Sequence, residues 1–222
     1  MPPTTFSAPA FTASLMITST LLSLATFSRA FSYKYGNRMT LRQLSTMSSG
    51  LQGASVGGDA IFGIVNPEAH FTVPEIYRRL NAIAPIHPPN TKFDYANVGY
   101  WLLGRTIEAA TKTTYANAMQ SRIFRPLRMK TAYIRTLDTH DLQLAMGYTR
   151  FGDGSFHQCP ELDIRSSDAA GMAVMTASDV IVWDEAIRAQ RLVQGALAKD
   201  MFTPSGVPMG QGAPAGLGYA MG

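Results

Sequence analysis

The clearest alternation of apolar and polar positions follows Asn97. Tyr100, Leu103, Ile107 and Ala110 recur at the three-to-four-residue spacing that places side chains on one helical face. Other segments punctuate the chain in the same way. Thr40 and Gln43 read as a capping box that opens a short helix, which Gly50 closes. Thr72 and Glu75 read as a second capping box, with Pro74 in the first turn of a helix running to about Ala84. Pro85, His87, Pro88 and Pro89 then require an extended loop. Asn97 is placed to cap the helix after that loop, and Thr114 to cap a further one reaching Phe124. Thr131 to Arg135 and Gln143 to Phe151 read as strands, and Gly152 to Ser155 as a turn between strands. Ser178 to Ala189 and Val193 to Met201 read as helices, and Leu217 to Met221 as a strand. Gln52 to Asn66 is glycine-rich and loop-like.

Helices in the middle and strands towards the ends describe an α+β chain. Its 222 residues suit one domain, and 46% hydrophobic residues suit a real core. The net charge of +4 comes from scattered basic residues, with Arg78-Arg79 the only adjacent pair. That pattern is a solvated surface and gives no nucleic-acid footprint, although it favours anionic carboxylate ligands. Cys159 is the only cysteine, so an intrachain disulfide is impossible. The first 28 residues carry no charged side chain. A signal peptide and a buried helix compete there. Ser28-Arg29-Ala30 supports the first, which lacks a basic leading region. The apolar run is shorter than the ~20 residues of a membrane span.

The run Phe93-Asp94-Tyr95-Ala96-Asn97-Val98-Gly99-Tyr100-Trp101-Leu102-Leu103-Gly104 carries the candidate chemistry. In an extended loop residues i and i+2 face one side, so Tyr95 and Asn97 can present a phenol and an amide to one cavity. A phenol moves protons, and an amide holds a carbonyl oxygen or a substrate amide. This run resembles the second motif of the serine β-lactamase and penicillin-binding-protein superfamily, most nearly its class C β-lactamase, esterase and D-aminopeptidase branch. Met39 to Leu51 resembles the family's "TLRQLLTHTSGL". Ile123 to Met129 with Thr131 resembles "IFxPLGMxxT". Ala169 to Met172, Thr176 to Asp179 and Trp183-Asp184 resemble "AGGLxSTAxDLxxWxxAL". Met201 to Pro204 and Gly216 to Gly222 resemble "MFTP" and the "GYGLGW" strand. These segments occur in the family's order from about Phe11 to Gly222.

The resemblance implies a β-lactamase/transpeptidase-like fold, mainly its helical lobe with an incomplete antiparallel sheet. The expected division is a degenerate N-terminal helix region over 10–39, a helical lobe over 40–130, and strands and helices leading into the sheet over 131–222. It favours the helix reading of the N-terminal run, where Phe11-Thr12-Ala13 and Leu22-Ser23-Leu24 match. It also implies a serine hydrolase that opens an amide, lactam or ester through an acyl-enzyme, with no cofactor and no metal, and export to the periplasm or beyond.

Two of the family's three catalytic elements are missing. No serine is followed by lysine three positions on, and Ser7, a candidate relic of the nucleophile, has Ala10 there. The Lys-Thr-Gly or His-x-Gly strand would follow Gly222, so the chain is expected to be truncated at both ends. By resemblance Tyr95 is general base or proton relay and Asn97 binds the substrate amide. Without the family's lysine, Tyr95 should remain a neutral phenol, since free tyrosine titrates near ~10. The alternative to an impaired hydrolase is a fragment or pseudoenzyme that binds peptide or acyl ligands without turnover. An exported or membrane-anchored scaffold is a third.

Other candidates read as structural. Ser48 and Ser49 lack an i+3 lysine and a Gly-x-Ser-x-Gly elbow, so they are turn residues. His157, Cys159, Glu161 and Asp163 would share one side of a strand, but no second ligand pair accompanies them. His70, His87 and His140 are isolated along the chain, and no Walker-type phosphate loop occurs. Trp101 and Trp183 sit at helical core spacing.

Overall fold

The computed structural model describes residues 34–53, 61, 71–136, 138–139, 144–158 and 165–207. Expectations about Ser7, the N-terminal helix or signal peptide, and the strand over 217–221 fall outside these residues.

Helix α1 (Leu41–Ser45) opens on the expected capping box. The Thr40 hydroxyl accepts from the Gln43 amide, and the Gln43 side chain accepts from the Thr40 amide at 2.9 Å. Helix α2 (Val73–Ala82) begins at Thr72 with proline in its first turn, but Thr72 makes no side-chain cap. The expected second capping box does not form, because Arg78 and Arg79 take the Glu75 carboxylate at 2.7 and 2.9 Å. A guanidinium partner binds a carboxylate more strongly than a neutral backbone amide does.

Helix α3 (Asn97–Thr111) is the longest described element. Its most deeply buried stripe is Val98, Trp101, Leu102 and Arg105, one step round from the expected stripe. Tyr100, Leu103, Ile107 and Ala110 are only half-buried. The difference comes from α3 being covered on more than one side, by α1 and by the Arg165–Ala170 3-10 segment. Trp101 is wholly buried and meets Tyr77 edge-on at 5.0 Å between ring centres. Arg105, also buried, lies 5.1 Å over the Trp101 ring and pairs with Glu108 at 3.0 Å and with Asp168. That pairing carries the charge into the core, where an unpaired guanidinium would be costly.

Helix α4 (Tyr115–Met119) is capped as expected by Thr114, whose hydroxyl accepts from the Asn117 amide. A π-helical turn, Gln120–Phe124, continues it. Strand β1 (Tyr133–Ile134) lies within the expected 131–135 segment and pairs antiparallel with β4 (Ala173–Val174). Strands β2 (Tyr148–Arg150) and β3 (Phe156–Gln158) form the expected hairpin, with Gly154 at φ +86° in its turn. Helix α5 (Ala177–Arg188) is capped by Thr176 and followed by α6 (Gly195–Met201).

Two apolar clusters organise these elements. The first joins Met39, Leu44, Leu51, Ile76, Leu80, Val98, Trp101 and Leu102 from α1, α2 and α3. The second joins Phe124, Leu127, Met129, Ile134 and Ala186, with Trp183 packed against it and half-buried. It draws on both sides of position 130. Arg42 of α1 reaches Asp200 of α6 at 2.7 Å, a tie across 158 positions. The described sheets are two-stranded and antiparallel, as the α+β reading requires.

Candidate functional site

The site is built on the turn after α1. Met47 adopts a left-handed backbone, φ +55°, and reverses the chain. Ser48 is fully buried. Its hydroxyl lies 2.9 Å from that of Thr46 and donates to Asn90 Oδ1 at 3.2 Å. Ser49 is buried too. Both serines are spent on the turn, as the sequence indicates.

The proline-rich loop over 85–93 is laced onto this turn by backbone bonds. The Ile86 amide donates to Gly50 O, the Asn90 amide to Ser48 O and the Asp94 amide to Met47 O, each at 2.8 Å. Gly50 has φ +82°, and a Cβ there would lie 2.1 Å from His87 O. Only glycine meets both the left-handed backbone and the close approach. Gly53 has an ordinary backbone, but a Cβ on it would sit 2.2 Å from Asp94 Oδ1 and 2.4 Å from Tyr95 O. The backbone before α3 therefore lies directly against residues 50–53.

This lacing delivers Tyr95 and Asn97. Tyr95 is 52% exposed, and its phenol has no hydrogen-bond or ion-pair partner among the described residues. Asn97 is half-buried at the first position of α3. It is not the helix cap. Ala96 holds that position in extended backbone, with no side-chain cap, and its carbonyl accepts from Gly99 N at 3.0 Å. The Ala96 amide is turned to the Met47 sulfur at 3.5 Å.

One turn into α3, Tyr100 donates its hydroxyl to Ser45 O at 3.0 Å. Burial pushes its phenol up to about 12, and the neighbouring Tyr95 adds to the rise. Tyr100 is thus a neutral donor that pins α3 to α1 at neutral pH. Tyr115, raised to about 12 chiefly by burial, is likewise neutral in the second cluster.

The loop also unites residues far apart in the reading of the chain. His87, isolated by sequence spacing, has its Nε2 3.9 Å from Asp94 Oδ2. The ring and the carboxylate are both largely buried, with 9% and 13% of their side chains exposed. His87 Nδ1 lies 2.9 Å from Pro88 O and 3.1 Å from Thr91 Oγ1. The sequence offered one signal for this cluster, the glycines at 50 and 53 ahead of the tyrosine motif.

Other candidates stay apart from this loop. His157 is exposed on β3, with Nε2 3.1 Å from Ser155 Oγ and its ring edge-on to Phe151 at 4.5 Å. Cys159, Glu161 and Asp163 fall outside the described residues. A surface groove of about 610 Å³ between α5 and α6 is lined by residues such as Ile187, Ala198 and Phe202, and neither Tyr95 nor Asn97 lines it. Among the described residues no helix is long and apolar enough to cross a membrane.

The family model described as Beta-lactamase matches residues 23–222. Penicillin-binding protein 4 of Amycolatopsis lactamdurans is 31% identical over 98 residues, 42% of this chain and 25% of that protein. Protein flp of Staphylococcus aureus is 25% identical over 138 residues, 62% of this chain and 27% of that protein. The chain thus spans about a quarter of the length of these curated relatives. Among solved structures, the D-amino acid amidase of Ochrobactrum anthropi superposes with a TM-score of 0.72 at 22% identity, covering 94% of this chain and 61% of that one. A penicillin-binding protein from Bacillus halodurans gives 0.70 at 21% identity, covering 95% and 64%. At such identities the superpositions establish the β-lactamase/transpeptidase-like fold.

Proposed function

The chain belongs to the Beta-lactamase family, and from that premise we propose that it is a serine hydrolase-type protein whose ligand is a small amide, lactam or ester lying against Tyr95 and Asn97. The observation that carries this reading is the Tyr95–Asn97 segment itself. Its phenol is exposed, its amide heads α3, and its backbone is held by Met47 and lies against Gly53. Side chains held on a laced backbone need little rearrangement to meet a ligand, which preserves affinity and orientation.

In the reaction a serine hydroxyl attacks the carbonyl, the leaving group departs with a proton, and water then cleaves the acyl-enzyme. Tyr95 is the proton carrier and Asn97 holds the substrate amide. Among the described residues no cation pairs with the Tyr95 phenol, and no Ser-x-x-Lys occurs in the 222 residues. Turnover by this chain is therefore impaired, and loss of a nucleophile or base typically costs several orders of magnitude in rate. The missing Ser-x-x-Lys also favours a second reading, in which the chain binds peptide or acyl ligands without turning them over. Export is the compartment proposed with this reading, by family resemblance.

Covalent labelling with a fluorescent penicillin, read by intact mass, tests the proposal. A stoichiometric adduct lost in Ser7→Ala and slowed in Tyr95→Phe supports acyl-enzyme chemistry. An unlabelled, folded protein that still binds a D-amino acid amide, with binding weakened by Asn97→Ala, supports the ligand-binding reading. Folded protein that does neither refutes both.

A further inference from the structure

The geometry beneath the Tyr95 loop surrounds one histidine with acceptors. Pro88 O, 2.9 Å from His87 Nδ1, is a carbonyl and can only accept. The Thr91 hydroxyl, 3.1 Å from the same nitrogen, donates its own proton to Pro88 O at 2.7 Å. With the Thr91 proton directed at Pro88 O, both neighbours of Nδ1 are acceptors, which favours the tautomer protonated on Nδ1. A neutral ring then turns the bare Nε2 lone pair towards Asp94 Oδ2, 3.9 Å away. Nε2 is buried and has no hydrogen-bond partner among the described residues. Two buried acceptors facing each other are unfavourable. A second proton on Nε2 turns the same arrangement into a charged pair, and a shift of ~1 Å brings it to hydrogen-bond length.

The consequence falls on the backbone that carries the candidate site. Asp94 directly precedes Tyr95, its amide is held by Met47 O at 2.8 Å, and its Oδ1 lies against Gly53. His87 sits on a loop fixed to Gly50 O and Ser48 O on either side, through Ile86 and Asn90. Pulling Asp94 towards His87 therefore tightens the start of α3 against a stationary partner. Among the described residues the groups facing the ring are few. Asp94 faces Nε2, Thr91 and Pro88 hold Nδ1, and the turn packed against it contributes the backbone of Gly50.

We propose that His87 is a positioning residue that, as an imidazolium, grips Asp94 and so sets the placement of Tyr95 and Asn97. The placement acquires a role in catalysis or binding through the function proposed above, while the grip itself is a property of the fold. The sign follows from the pair. The loop is tightest when the ring is doubly protonated and looser when Nε2 is bare.

Long-range ¹H–¹⁵N spectra of the full chain, with His87→Gln to assign the ring, report which nitrogen is protonated at each pH. Hydrogen-exchange protection factors for Tyr95, Ala96 and Asn97, corrected for intrinsic exchange, report the grip. The expected result is a neutral ring protonated on Nδ1, with protection rising roughly tenfold as Nε2 gains its proton. Asp94→Asn should remove that dependence. A neutral ring protonated on Nε2, protection indifferent to the ring's charge, or an unchanged dependence in Asp94→Asn would each overturn the proposal. The ring spectra and the pH dependence are read on the unaltered protein, so a variant that fails to fold leaves the test intact. Neither readout needs turnover. Penicillin labelling of the same samples separates the two ideas, because absent labelling with the pH-dependent grip retained removes only the functional reading.

Discussion

Gly53→Ala adds one methyl group at one of the two closest backbone approaches of the candidate site. The backbone of Gly53 is ordinary, so the substitution carries no dihedral penalty and its effect is purely steric. The new Cβ would lie 2.2 Å from Asp94 Oδ1 and 2.4 Å from Tyr95 O. The carboxylate can rotate away, but the carbonyl belongs to the backbone. Restoring a normal contact requires the 94–96 segment to withdraw by ~1 Å. The Asp94 amide bond to Met47 O, now 2.8 Å, and the Ala96 contact to the Met47 sulfur, now 3.5 Å, would both stretch. Overpacking costs ~1–3 kcal/mol and a weakened hydrogen bond about 1 more. The sum, roughly 2–4 kcal/mol, should lower Tm by about 5–15 °C for a chain of this size. Urea denaturation followed by circular dichroism measures the loss. Gly152→Ala is the control, because a Cβ there meets nothing within 4 Å, and it should change stability by less than about 0.5 kcal/mol. If Gly53→Ala matches that control, residues 51–53 do not support the Tyr95 backbone and the site as described is wrong.

Two further outcomes follow from the helix ends. Thr40→Ala removes the capping box of α1 and should destabilise the protein by about 1 kcal/mol in the same denaturation assay, with Thr72→Ala costing less because Thr72 makes no cap. The hydrogen bonds from Arg78 and then Arg79 hold the Glu75 carboxyl at about 2, against an ordinary 4.5. Its contribution to α2 is therefore complete above about 4.5 and lost as pH falls towards 2. A ¹³C titration of the Glu75 carboxyl should place its midpoint near 2, and Glu75→Gln should flatten stability across that window. A midpoint at the ordinary value would mean that the two arginines do not hold it in solution.

The sequence by itself determined what local chemistry determines. Thr40 with Gln43, Thr114 and the Gly152–Ser155 turn were legible because a cap or a tight turn needs only residues within a few positions of one another. The Tyr95–Asn97 motif was readable as residue types in order along the chain, and burial of Trp101 followed from its spacing. Tertiary structure decided what depends on competition between distant groups. Glu75 could cap Thr72 or pair with Arg78 and Arg79, and charge chose the arginines. Ala96 and not Asn97 holds the cap position of α3, in a segment whose Ala96 amide contacts the Met47 sulfur 49 positions upstream. The deepest face of α3 was set by elements on more than one side, which a single apolar stripe does not encode. His87 met Asp94 only because Gly50 and Gly53 let two loops approach without side chains between them, and no spacing rule along the chain records that approach.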